Sequence, residues 1–408
     1  MSGDGRQTGR APAGAAGRVA AVHRQSRPTL GLAVAFSIAA GVATALPHRT
    51  GTWLPVHLFL LGGVLLAISA ATQLLAVTWG AAPAPAERTV AVQRALVAVG
   101  TAGLALARER AWPTPVLAAA GLAVVGGLLL LGVLLWQLRA AAIQDRFAPV
   151  VDHYLIAIVF GVAGSVAGVL LATGTAPVAA DRLRAAHLTV NLLGLVGVVV
   201  AGTLPWFVAT TAKMRVSPRA TAARQRAHLV ALAASTTTAA VGALTDSRAV
   251  TSVGLAGYAV GLVGVGALLP RLGVKQLRWA GPRLVQILAG TTWLAATVAV
   301  SAAHGTLADR GVLVLIVGGY GQIVAGALAY LAPVLRGGGH ERLAAGFGVT
   351  RSWLGLAAGN VAALAAALAL PALLRVAVVM WVVDCGVRGL LLAHGRVRIT
   401  SPACISTG

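Results

Sequence analysis

The stretch Thr114-Pro-Val-Leu-Ala-Ala-Ala-Gly-Leu-Ala-Val-Val-Gly-Gly-Leu-Leu-Leu-Leu-Gly-Val-Leu-Leu-Trp-Gln137 decides the fold class. It holds no charged residue, and none occurs between Arg110 and Arg139. About 20 apolar residues suffice for an α-helix to cross the hydrocarbon core of a bilayer, and a helix satisfies its own backbone polar groups there. Trp112 and Trp136 bracket the stretch. Indole rings prefer the headgroup level at either face of a membrane.

Working outward, similar stretches lie near 29–46, 54–79, 89–107, 151–173, 183–211, 227–245, 249–269, 281–303, 311–334, 350–370 and 373–393. Trp53 and Trp79 bracket the second of these. The chain therefore reads as an all-α, polytopic transmembrane helix bundle of about 12 spans. The number falls to eleven if Pro371 only kinks one long final segment. Composition agrees. Of the 408 residues, 58% are hydrophobic and 10% charged, and the mean hydropathy is +0.85. An ordinary soluble domain carries about 25% charged residues. The 50 glycines suit close helix packing in lipid, and Gly164-x-x-x-Gly168 and Gly257-x-x-x-Gly261 are candidate contact faces. No sequence repeat is evident, and no loop is long enough to hold a soluble domain.

Charge sets the expected orientation. The net charge is +22, almost all of it from arginine. Nucleic acid is the first partner to consider for such a chain, but the placement of the charge argues against it. Lys213, Arg215, Arg219, Arg224 and Arg226 fall in one connection, and Arg271, Lys275, Arg278 and Arg283 in the next but one. If the N-terminus is cytoplasmic, these and most other basic residues face the cytoplasm. The opposite side keeps only Arg49, Arg108, Arg110, Arg182, Arg184, Arg248, Arg310 and Arg375. That asymmetry is the one expected of a multi-pass protein of the plasma membrane. Its basic loops then meet anionic lipid headgroups. Residues 1–28 lack an apolar core and read as a disordered basic cytoplasmic tail, 29–394 as the transmembrane domain, and 395–408 as a short cytoplasmic tail. Cys385 and Cys404 form no metal or disulfide motif.

The spans are poor in ionisable groups, which counts against ion coupling. Asp384 and Arg388, four residues apart, are expected to pair on one helix face. Histidines are more informative. His57 opens the second span, His187 opens the sixth, His304 closes the ninth, and His48 sits in the first outer loop. By the alternation above all four lie at one depth, near the outer face. Neutral imidazole is a good ligand for copper or haem iron. His57, His187 and His304 are thus candidate metal ligands. Asn191 lies one turn below His187, and Tyr320 and Gln322 fall at a similar depth in the tenth span. These three are candidate residues of the same cofactor pocket, with helix–helix hydrogen bonding as the plainer role.

Two segments carry a resemblance: Val56-His57-Leu58-Phe59-Leu60-Leu61-Gly62 and His187-Leu188-Thr189-Val190-Asn191-Leu192-Leu193-Gly194. With the number of spans, they resemble the superfamily of haem–copper oxidase subunit I. They are more similar to its smaller relatives, the NnrS-like membrane proteins and the actinobacterial membrane regions found beside multicopper oxidase or copper nitrite reductase domains. Ala329-Tyr330-Leu331-Ala332-Pro333-Val334-Leu335, followed by Gly337-Gly338-Gly339, is similar to a stretch of the latter group. The resemblance implies a haem ligand at His57 and a copper ligand at His187. The oxidases' histidine pair in span seven and His-x-His in span ten are missing, so a complete oxygen-reducing centre is not implied. What is implied is binding of haem b or copper near the outer face, in nitric oxide, nitrite or copper-related redox metabolism, with a separate cupredoxin-type or other redox protein as partner. A metal-free transporter, expected to show inverted repeats, and a scaffold subunit with no site of its own are the alternatives.

Overall fold

The computed structural model describes residues 14–394, which are helical with no strand. In chain order the membrane helices are α1 (Ala15–Ala45), α2 (Trp53–Trp79), α3 (Glu87–Glu109), α4 (Thr114–Ala140), α5 (Asp145–Thr173), α6 (Ala180–Thr211), α7 (Ala222–Leu244), α8 (Arg248–Ala267), α9 (Pro282–His304), α10 (Asp309–Arg336), α11 (Trp353–Ala367) and α12 (Pro371–His394). All but α11 are long and apolar enough to cross a membrane. At 15 residues, α11 is about 22 Å long. Pro371 separates two helices rather than kinking one. It opens α12, where its missing N–H costs nothing, after a turn in which Ala369 takes φ +55°. Short surface helices span Val274–Ala280 and Gly339–Val349.

The first helix corrects the expected domain boundary. Residues 15–28 are the opening turns of α1, not a disordered tail. They are rich in alanine, a strong helix former, and Val22, Gln25, Ser26 and Thr29 are buried. The Gln25 amide donates to the Pro85 carbonyl at 2.8 Å, and Arg27 Nε to that of Leu335 at 2.7 Å. The expectations for residues 1–13 and 395–408 lie outside the described residues.

Consecutive helices pack side by side around the bundle, and α12 returns to α1 and closes the ring. The most buried are α2 and α6, followed by α10. These three, every fourth helix, meet at the centre. Each contains a π-helical segment: Leu58–Val64, Val190–Gly197 and Leu315–Gly321. In each segment a glycine receives an aromatic ring from the preceding helix. Gly62 faces Phe36 and Gly194 faces Phe160, leaving no room for a Cβ, and a Cβ on Gly318 would stand 3.1 Å from Trp293 and 2.7 Å from Ala363 of α11. One residue further on, Gly63 meets Ser37, Leu195 meets Gly161 and Gly319 meets Leu294. The bundle is thus built from three four-helix units with the same contact at the heart of each. An even number of crossings keeps all three units the same way up. Units related in this way run in the same sense, as parallel repeats do.

Contacts between connections agree with the alternation read from charge. At the end of the bundle opposite the basic loops, Arg49 and Thr50 backbone N–H groups donate to Glu109, Arg182 pairs with Asp246, and Arg184 with Asp309. At the basic end, Asp152 bridges Arg139 and Arg226. The Asp384–Arg388 pair forms as expected, at 2.9 Å, and Ser352 Oγ donates to the other carboxylate oxygen. Outward-facing side chains such as Val99, Val159, Val260 and Val263 are exposed along the helices. Such continuous apolar surface belongs against lipid.

Candidate functional site

His57 ends the first turn and a half of α2, directly before the first π segment. Its Nδ1 lies 2.8 Å from the Trp53 carbonyl. A carbonyl only accepts, so Nδ1 carries the proton and Nε2 keeps its lone pair. The ring stacks on the Trp53 indole with centroids 4.1 Å apart, and the Arg108 guanidinium covers that indole at 4.9 Å. The tryptophan and arginine thereby fix the plane of the imidazole.

His187 occupies the matching end of α6, just before the second π segment. Its Nδ1 donates across to the Gly164 carbonyl of α5 at 2.7 Å. This again leaves Nε2 unprotonated. Gly168 makes the approach feasible, since a Cβ there would stand 2.9 Å from His187 Cε1. Asn191 donates to the His187 carbonyl at 2.8 Å and packs on Gly164. The Gly164–Gly168 face is therefore a helix contact, as its spacing suggests, and it seats the histidine. Gly257 and Gly261 likewise seat Ser235 and Leu232 of α7.

His57 and His187 are both partly buried, at the same end of the bundle. Neither Nε2 has a hydrogen-bond partner among the described residues. An Nδ1 bond to the carbonyl four residues back also occurs at His153 and His394. What sets this pair apart is that two such rings sit at one end of the bundle, on its two most buried helices.

The other candidates do not join them. His304 is the exposed last residue of α9, which is peripheral while α2 and α6 are central. Among the described residues no three His, Cys, Asp or Glu side chains converge on a metal position. Gln322 turns toward the ring's edge, where it and Asn360 exchange bonds at 3.3 Å, with Trp293 Nε1 donating to Asn360 at 3.0 Å. Its side-chain partner among the described residues is Asn360, not Asn191. Tyr320 is fully buried and donates to the Leu192 carbonyl at 2.6 Å, while Tyr258 donates to that of Leu193 at 2.9 Å. The two hydroxyls cap carbonyls of the second π segment, where the widened turn disturbs the regular backbone ladder. Tyr320 also borders a cavity of about 100 Å³ between the central helices, lined by Val64, Ala71, Val199, Leu204 and Val324. Neither His57 nor His187 lines it.

Sequence reasoning missed Trp53 and Arg108 as supports of His57. Their spacing from it, one turn along α2 and on the next helix, carries no signal above that of any interfacial tryptophan or arginine. Compared with models of known protein families and with curated proteins, the chain matches none. The fold and site define a multi-pass membrane protein: a ring of helices with two oriented imidazoles at one end of its core.

Proposed function

We propose that His57 and His187 hold a single metal centre near the extracytoplasmic face, and that the protein handles copper or passes electrons through it. One observation carries the reading: at the same end of the two most buried helices, two imidazoles each give Nδ1–H to a backbone carbonyl and keep an open Nε2. A ring N–H bonded to a backbone carbonyl in this way orients imidazole ligands in metal sites. The resemblance of the flanking segments to haem–copper membrane proteins points the same way. Two ligands suit monovalent copper, or the two axial positions of haem b. The metal would supply a one-electron couple. The chain's own residues hold the rings, exclude lipid and fix the tautomer.

The orientation belongs to the same reading. The basic face is cytoplasmic, the membrane is the plasma membrane, and the partner is a separate redox or copper-carrying protein at the outer surface. The test is metal analysis and a visible spectrum of the purified protein after loading with cuprous ion or haem. One copper per chain, lost in His57→Ala and in His187→Ala but kept in His304→Ala, is the expected result. A Soret band with the same dependence would assign haem instead. Retention of metal in both single variants would sink the proposal and leave the scaffold reading.

A further inference from the structure

At the basic end of the bundle, far in sequence from either histidine, stands a group of cations with no counter-charge among the described residues. Arg283 is the second residue of α9 and is only 5% exposed. Its Nε and Nη1 are enclosed and have no hydrogen-bond partner among the described residues. The guanidinium lies 4.3 Å from the centre of the Phe347 ring, which comes from the short helix Gly339–Val349. Tyr330 also stacks on that ring, with centroids 5.5 Å apart. The aromatic face offsets part of the charge but accepts no N–H bond in the plane of the guanidinium.

A second arginine is beside it. The Arg351 guanidinium presses on Gly281, the residue before α9. A Cβ on Gly281 would stand 2.7 Å from Arg351 Nε and 3.0 Å from Cζ. Arg351 Nη2 donates to the Arg278 carbonyl, and its remaining donors are unused among the described residues. Both cations thus flank the amino end of a 23-residue helix, which itself carries about half a positive charge. No carboxylate pairs with either among the described residues. Asp384 is taken by Arg388 and Ser352, and Glu341 on the covering helix forms no ion pair. A buried cation left without partners is costly, and guanidinium forks match the geometry of phosphate oxygens.

We propose that Arg283 and Arg351, with the amino end of α9, bind one phosphate group, presented by an anionic lipid headgroup or as the free ion. The position fits both sources, since the basic end of a membrane bundle meets headgroups and solvent alike. Thermal unfolding of the full chain in neutral phosphatidylcholine nanodiscs tests it in two arms. One adds phosphatidylglycerol to the discs. The other adds inorganic phosphate, with ionic strength held constant by chloride. The wild type is expected to gain stability saturably in at least one arm. A response to phosphatidylglycerol alone assigns the lipid, and a response to both shows that the free ion suffices.

Arg283→Gln is expected to abolish the response. Arg351 is exposed, so Arg351→Gln leaves the fold intact and carries the test if the first variant does not fold. It should raise the half-saturating concentration about tenfold, the loss of one charge-assisted contact. No saturable response of the wild type in either arm, or an unchanged half-saturation in Arg351→Gln, overturns the proposal. The enclosed donors of Arg283 would then be met by ordered water.

Discussion

Leu192 and Leu193 give up their carbonyls to hydroxyls from other helices, Tyr320 on α10 and Tyr258 on α8. Removing either hydroxyl strands a buried acceptor. Tyr320→Phe and Tyr258→Phe should each lower stability by about 1 kcal/mol, the scale of a membrane-buried hydrogen bond. Thermal unfolding in detergent reads this, and unchanged midpoints in both variants would mean that the segment satisfies itself. The tyrosines show why the candidate site was only half legible. Residue type and depth could be read from the sequence, so His57 and His187 were found. Direction could not. Tyr320 lies in the π segment of α10 and Gln322 just past it, and one points to the axis while the other faces Asn360. His304 failed for another reason: it shares the depth of the pair but sits on an outer helix. Depth follows from hydropathy, whereas neighbourhood depends on how helices circulate.

Among the elements, the glycine-to-aromatic contact within each unit is the one most open to test. Gly194→Val would drive a branched side chain into Phe160. Overpacking of this kind costs about 1–3 kcal/mol. Adding Phe160→Ala should return much of that loss, and the same exchange should hold for Gly62 with Phe36. A double variant no more stable than Gly194→Val alone would show that the ring is not what the glycine accommodates. Helix number and most boundaries were legible, because a long uncharged run has few alternatives in lipid. The start of α1 was not. Its first turns are polar and arginine-bearing, and they are held by contacts with Pro85 and Leu335, which are remote in sequence. The π segments left no trace either. Each differs from ordinary helix by one extra residue per turn, and glycine is too common here for its spacing to stand out.

For the whole molecule, the separation of basic and opposite faces predicts which loops a reagent can reach. In a chain with Cys385 and Cys404 replaced by alanine, Ala179→Cys should react with an impermeant maleimide in intact cells. Arg219→Cys should react only after permeabilisation. The reverse pattern would invert the assignment and move the histidine pair to the cytoplasmic side. The threefold construction has a consequence of its own. A segment with an even number of crossings can be copied in tandem, and every copy enters the bilayer in the same sense. Severing the chain after an even crossing, within 141–144, therefore leaves two pieces that each keep their native sense of insertion. Severing it after an odd one, within 245–247, obliges the second piece to start from the far side. Co-expressed fragments should reassemble in the first case and not in the second.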